Sequence, residues 1–151
     1  PPESVLVPFD GSVPSREALS YALERFPGAT VTALFADYPA TGDGEHLGPG
    51  GDASTAFEDW YGAVREWHAR ADRDAESVLR LATRVAEAHE AEVETVAEPG
   101  DPTRVVLEHV ERHAVHVVVG SHSRDATTRR LLGSVAAFVV QRSPTSVTVV
   151  R

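Results

Sequence analysis

The sequence predicts an α/β fold, a single open five-stranded parallel sheet in the strand order 3-2-1-4-5 with helices on both faces. Three observations predict it. Short β-branched runs alternate with segments of helical period along the chain, the pattern of helices laid over a sheet. The runs around Leu6 and Val118 are apolar without polar alternation, as strands buried on both faces are. A length of 151 residues gives room for one domain and one substantial core, so residues 1–151 read as one unit.

The elements follow in order. Ser4, Val5, Leu6, Val7 and Pro8 form a buried strand that feeds the turn Phe9, Asp10, Gly11, Ser12. Pro14 suits a first helical turn, Ser12 or Ser15 can cap it, and Ala18, Leu19, Ala22, Leu23 and Phe26 recur at helical spacing until Pro27 and Gly28 stop the helix. Residues 30–35 read as the second strand. Residues 36–54 turn to Gly, Pro and small polar types without apolar period, a long loop that is either a lid over a ligand or plain disorder.

An apolar stripe then runs from Phe57 through Trp60, Trp67, Ala75, Val78 and Ala82 to Ala86, and predicts one long helix ending near His89. Its aromatic members could stack a base, but core packing explains them better, because helical spacing alone produces such a stripe. A continuous helix of this length outruns the sheet it covers, so a kink or an overhang is expected. Residues 92–98 alternate charge with apolar character, which marks an edge strand. Pro99 and Gly100 break it, Asp101 caps the next helix with Pro102 at its first position, and Val105, Val106 and Val110 supply the buried stripe. Residues 115–119 form a buried strand running into Gly120, followed by a helix over 134–141 and a last strand over 146–150.

Composition narrows the chemistry. The absence of cysteine excludes disulfides, thiolate nucleophiles and Cys-based zinc sites, and favours a reducing interior. No stretch reads as a signal segment or a membrane span, so a cytoplasmic protein with no membrane partner is expected. The formal charge is −9 and all fourteen basic residues are arginine. Acidity without lysine fits a high-salt cytoplasm, where salt screens carboxylate repulsion; Arg codons of a GC-rich genome are the alternative. The acidic balance argues against nucleic acid as a partner.

In a doubly wound sheet, ligands bind beyond the carboxyl ends of the strands where the strand order reverses. That rule brings residues 8–12 opposite residues 120–134. Gly120 allows close approach, while Gly133 and Ser134 open a helix whose free N–H groups and dipole favour an anion such as phosphate. Ser134 can bond that anion or cap the helix. Arg124, Arg129 and Arg130 flank the segment and can neutralise phosphate or simply solvate the surface. His122 fits a local hydrogen bond better than proton transfer, and His109 with His113, four apart on a helix, lack an evident third metal ligand.

Glycine, two residues, glycine, nine residues and then Gly-Ser is the nucleotide motif of the universal stress proteins, and residues 120–134 resemble it. The resemblance covers nearly the whole chain: Val5 to Ser12 resembles the family's opening strand and turn, Gly100, Asp101 and Pro102 its third-helix entry, and Val135 to Val149 its closing helix and strand. It implies a Rossmann-like sheet of the adenine nucleotide alpha hydrolase-like type that binds ATP or another adenine nucleotide, with Mg2+ as companion ion. Adenine would lie between the ends of the first two strands against the backbone of Leu34 and Phe35. Ribose would sit at the turn of Pro8, Phe9, Asp10 and Ser12, and phosphates along Gly120, His122, Ser123, Arg124, Gly133, Ser134 and Val135. Asp10 either caps its own turn or meets ribose or a phosphate-bound metal. One departure stands out: Ser123 replaces the motif's second glycine, and its Cβ crowds a phosphate or strains the backbone.

Other classes fit less well. Asp10, Gly11, Ser12, Val13 and Pro14 do not supply a dinucleotide-binding glycine pattern, and without lysine the chain has neither a P-loop nor a phospho-receiver site. No paired acid and base marks an efficient hydrolase, so no catalytic residue is expected and at most slow ATP hydrolysis. A nucleotide-free dimerisation and signalling module is the alternative, for which Ser123 speaks. The apolar terminal strand 146–150 suits an exposed edge, and a homodimer through it is expected, an arrangement that universal stress proteins resemble. The resemblance and the acidic, lysine-free composition together point to a halophilic archaeal source.

Overall fold

The computed structural model of the chain describes residues 1–37, 74–113, 115–121 and 134–151. Among them the elements run β1 (Ser4–Pro8), α1 (Val13–Arg25), β2 (Thr30–Asp37), α2 (Ala75–Ala88), β3 (Glu94–Pro99), α3 (Pro102–His113), β4 (His116–Gly120), α4 (Ser134–Arg142) and β5 (Val147–Val150). The strands form one sheet in the order β3-β2-β1-β4-β5, and every pairing is parallel. This is the fold that the alternating sequence predicts. Helix α1 packs on α2 and α3 packs on α4. Right-handed crossovers put the two helix pairs on opposite faces of the sheet, because the strand order reverses between β3 and β4.

The central strands carry the core. Leu6, Val7, Phe9, Leu34, Val117 and Val118 are fully buried and meet Leu19 of α1, Val78 of α2, Val106 of α3 and Val139 of α4. A fully buried aliphatic or aromatic side chain contributes about 1.5–3 kcal/mol, so this cluster dominates the favourable side of folding. Strand β3 lies at one edge and buries none of its residues: Glu94, Thr95, Ala97 and Pro99 are exposed, while Val96 and Glu98 are half-buried.

Several boundaries differ from the sequence reading: β3 spans Glu94–Pro99 rather than 92–98, so Pro99 ends the strand instead of breaking it, and three others have a reason outside the local pattern. Strand β2 continues to Asp37 because Ala36 and Asp37 pair with Glu98 and Pro99 of β3. Strand β4 includes Gly120 because Gly120 pairs with Val150. The expected long helix is interrupted at Asp74, whose backbone is extended and whose carboxylate accepts the Ser77 N–H at 2.7 Å, a cap that starts α2 afresh. The remainder of that stripe, residues 57–73, and most of the 36–54 loop lie outside the described residues.

Candidate functional site

Strands β1 and β4 are in register only at Val5 with His116 and Leu6 with Val117. Beyond that point Val7 and Pro8 pair with Ala33 and Leu34 of β2, while Val118, Val119 and Gly120 pair with β5. The carboxyl halves of β1 and β4 therefore part at the point where the strand order reverses, which is where an open α/β sheet receives a ligand.

One wall of this crevice is the turn after β1. The Phe9 N–H donates to the Leu34 carbonyl at 2.9 Å, extending the ladder by one residue, and the Phe9 ring is buried. Asp10 follows with 6% of its surface exposed, and its Oδ1 accepts the Ser12 N–H at 2.9 Å. Gly11 takes a φ of +83°, a left-handed conformation that glycine adopts without strain, so the chain can reverse between Asp10 and Ser12. Ser12 then caps α1. Its Oγ accepts the Ser15 N–H at 3.4 Å, and the Ser15 hydroxyl donates back to the Ser12 carbonyl at 2.9 Å. Both serines named as cap candidates are thus used, Ser12 as the cap and Ser15 as its support. Of the two uses weighed for Asp10, the turn-capping one is present in the structure.

The facing wall is the end of β4. Gly120 lies so close to α1 that a Cβ built on it would stand 2.2 Å from the Pro14 carbonyl oxygen and 2.5 Å from the Pro14 carbonyl carbon. Close approach is therefore what this glycine provides, and the object approached is the first turn of α1. Ser121 is buried and donates its N–H to the Val150 carbonyl at 2.7 Å, which ties the exit of β4 to the last strand. His122, Ser123, Arg124 and Gly133 lie outside the described residues, as do Arg129 and Arg130. The next described residue is Ser134, the first of α4, with Val135 half-buried against the core. A helix amino terminus leaves N–H groups unpaired and favours an anion beside it.

The side of the crevice beyond β1 is framed by β2 and β3. The side chains of Leu34 and Phe35 are buried, so only their backbone is open to a ligand, and the Leu34 carbonyl is already engaged by Phe9. The Gly100 N–H donates to the Asp37 carbonyl at 3.3 Å and joins the two strand ends. Asp101 is 1% exposed, and its Oδ1 accepts the Thr103 N–H at 2.9 Å and the Thr103 hydroxyl at 2.7 Å. That arrangement bears out the cap expected at Asp101. Pro14 is the site residue that the sequence reading treated only as a helix starter; no local signal marks its contact with Gly120, which is more than a hundred positions away.

Away from this crevice, His109 and His113 stack at 4.5 Å between ring centroids, and the Nδ1 of His109 is buried without a partner. Burial, and then the neighbouring His113, push the His109 pKa below its ordinary value. No group of three metal-ligating side chains exists among the described residues, so the pair gains no third ligand from them. An open groove of about 520 Å3 lies at the amino ends of β2 and β3, lined in part by Thr30, Thr83, Glu87, Glu92 and Glu94. Its three carboxylates make it a poor place for phosphate. No helix among the described residues is long and apolar enough to cross a membrane.

Comparison with known proteins decides the family. The family model described as "Universal stress protein family" matches residues 2–151. The chain belongs to the universal stress protein family. Among solved structures, a universal stress protein in complex with cAMP is 26% identical, covers 99% of this chain and 97% of its own, and superposes with a TM-score of 0.69. A universal stress protein from Lactobacillus plantarum is 21% identical, with 98% and 97% covered and a TM-score of 0.65. A family member from Arabidopsis thaliana with AMP bound is 18% identical, with 99% and 91% covered and a TM-score of 0.61. Comparison with curated proteins finds no match. The universal stress protein fold is thus shared over the whole chain, including the sheet order that sets the crevice.

Proposed function

We propose that this universal stress protein binds ATP across the β1–β4 crevice and acts as a nucleotide-dependent sensor or switch in stress response, holding the nucleotide rather than turning it over. The observation that carries this reading is the neighbour solved in complex with cAMP, which aligns with the chain almost end to end. The Arabidopsis thaliana structure with AMP bound belongs to the same ligand class. The local geometry agrees with it. A buried carboxylate stands on one side of the crevice at Asp10, and the helix that follows β4 begins at Ser134; a helix amino terminus favours an anion. Mg2+ is held by one or two carboxylates together with substrate phosphates, and a single Asp10 fits that mode rather than an all-protein cage. Asp10 would hold the ion and Ser134 the phosphate, and the ion would supply charge neutralisation between the two.

The test is isothermal titration of nucleotide-free protein with MgATP, AMP and cAMP at a salt concentration where the protein is folded. Heat and retention with at least one adenylate are expected, weakened in Asp10→Ala. Silence with all three retires the reading. The second reading, a dimerisation and signalling module without nucleotide, is favoured by Ser123 at the motif's glycine and would then stand. Turnover of ATP that Asp10→Ala abolishes would overturn the non-catalytic part.

The homodimer is part of the same proposal, with β5 as the pairing edge because it closes one side of the sheet. A halophilic source is proposed from the charge of −9 without lysine. Its check is the unfolding midpoint, which rises steeply with added KCl if screening is needed and stays flat if it is not.

A further inference from the structure

Strand β5 is an edge strand of four residues, held by ladder bonds to β4 alone. Side chains add to that attachment. The Thr145 hydroxyl donates to the Val115 carbonyl, and the Ser143 hydroxyl donates to the Thr145 carbonyl at 3.0 Å. The third contact involves an ionisable group: His116 Nε2 of β4 lies 2.8 Å from Thr148 Oγ1 of β5.

The His116 ring is half-buried between the end of α1 and this edge. Its centroid is 5.3 Å from that of Phe26, the residue that caps α1. Among the described residues it meets Phe26 from α1 and Thr148 from β5, with Val5 on β1 as its register partner, and none of these ionises. Burial is the cause of its lowered pKa, with no acid to offset it. The neutral ring bonds Thr148 in either tautomer, as donor or as acceptor. A protonated ring places a cation in the same slot without a counter-charge, which is costly.

We propose that His116 makes the attachment of edge strand β5 acid-sensitive, so that protonation of its ring loosens β5 from β4 and weakens assembly through that edge. The second half rests on the dimer reading above; the first half does not. With β5 open the ring titrates near 6.5, and with β5 closed it titrates below that, so the open form binds more protons in the interval. Closure is at full strength above 6.5, weakens as pH falls through the interval and levels off below the closed-state midpoint. Each unit between the two midpoints multiplies the opening constant by about ten at low pH.

The experiment is hydrogen exchange of the β5 amides, corrected for intrinsic rates, at about pH 7.5 and about pH 5 in the wild type and in His116→Gln. NMR titration of the His116 ring and light scattering accompany it. Glutamine keeps a hydrogen-bonding group and cannot titrate. The expected result is a several-fold loss of β5 protection in acid that the variant lacks, with a ring midpoint below 6.5. Equal losses in both proteins, or a ring midpoint at or above 6.5, overturn the proposal. If His116→Gln does not fold, Thr148→Val in its place must lower β5 protection at neutral pH, and unchanged protection counts against the proposal. A monomer whose β5 loosens in acid defeats the dimer reading alone; a dimer whose β5 ignores pH defeats this one alone.

Discussion

Replacing Gly120 by alanine tests the geometry of the site without removing a polar group. The added methyl carbon would stand 2.2 Å from the Pro14 oxygen, 2.5 Å from its carbonyl carbon and 3.0 Å from its Cβ. The first two are backbone atoms of a helix in its first turn, and they cannot swing aside as a side chain can. Ordinary contact begins at 3.4 Å, so α1 and the end of β4 must separate by about 1 Å, which a core packed to crystal density resists. Overpacking of this kind costs about 1–3 kcal/mol, and a backbone collision belongs at the upper end. At about 2–4 °C per kcal/mol for a chain of this size, the midpoint falls by about 6–12 °C. Gly28→Ala is the control: Gly28 is exposed, has nothing within 4 Å of a built Cβ and does not need a left-handed backbone. It is expected to melt with the wild type or slightly above it. Circular dichroism melts of the three proteins decide the matter. Gly120→Ala melting within about 2 °C of Gly28→Ala would refute the packing argument.

Two further outcomes follow from the same structure. Asp101→Ala removes an almost fully buried cap and orphans the Thr103 hydroxyl, at about 1 kcal/mol for the cap and about 1–3 kcal/mol for the unpaired group, so urea unfolding should show a loss of about 2–4 kcal/mol. His109 and His116 both titrate below the ordinary histidine value when folded, which means that the unfolded chain binds more protons in the interval. Their contribution to stability is therefore complete above 6.5 and declines as pH falls through the interval beneath it; ring midpoints at or above 6.5 in the folded protein would contradict both assignments.

The sheet was legible because its physics is local to each strand. Val5 to Val7 and Val117 to Val119 are buried on both faces and read as unbroken apolar runs, while β3, an edge strand with no buried residue, carries charges between its apolar positions. Caps were legible for the same reason, since Ser12 and Asp101 act within three residues of themselves. What failed depended on partners. Strand ends at Asp37 and Gly120 are set by the neighbouring strand, and the break at Asp74 is a matter of backbone angle that an apolar stripe does not record. At the site, Asp10 could be found from its turn, but whether Leu34 offered a side chain or only backbone depended on burial by helices distant in sequence.

Gly120 shows why a motif can be evidence for a fold before it is evidence for a ligand. The sequence offers it as part of a phosphate cradle, yet the crowding around Pro14 demands glycine there whether or not a nucleotide ever binds. Any chain that closes α1 this tightly over β4 needs the same residue, so its presence does not distinguish a nucleotide-binding member from one that has lost the ligand. Asp10 is only partly different, because its carboxylate already holds the Ser12 N–H. A discriminating variant must keep that capping bond and remove the charge. Asp10→Asn does so: asparagine's carbonyl still accepts the N–H, while the attraction for a phosphate-bound cation is gone. The melting point should stay near that of the wild type, and MgATP affinity should fall more than affinity for metal-free AMP. Equal losses for both adenylates, or a lowered melting point, would assign Asp10 to the turn alone.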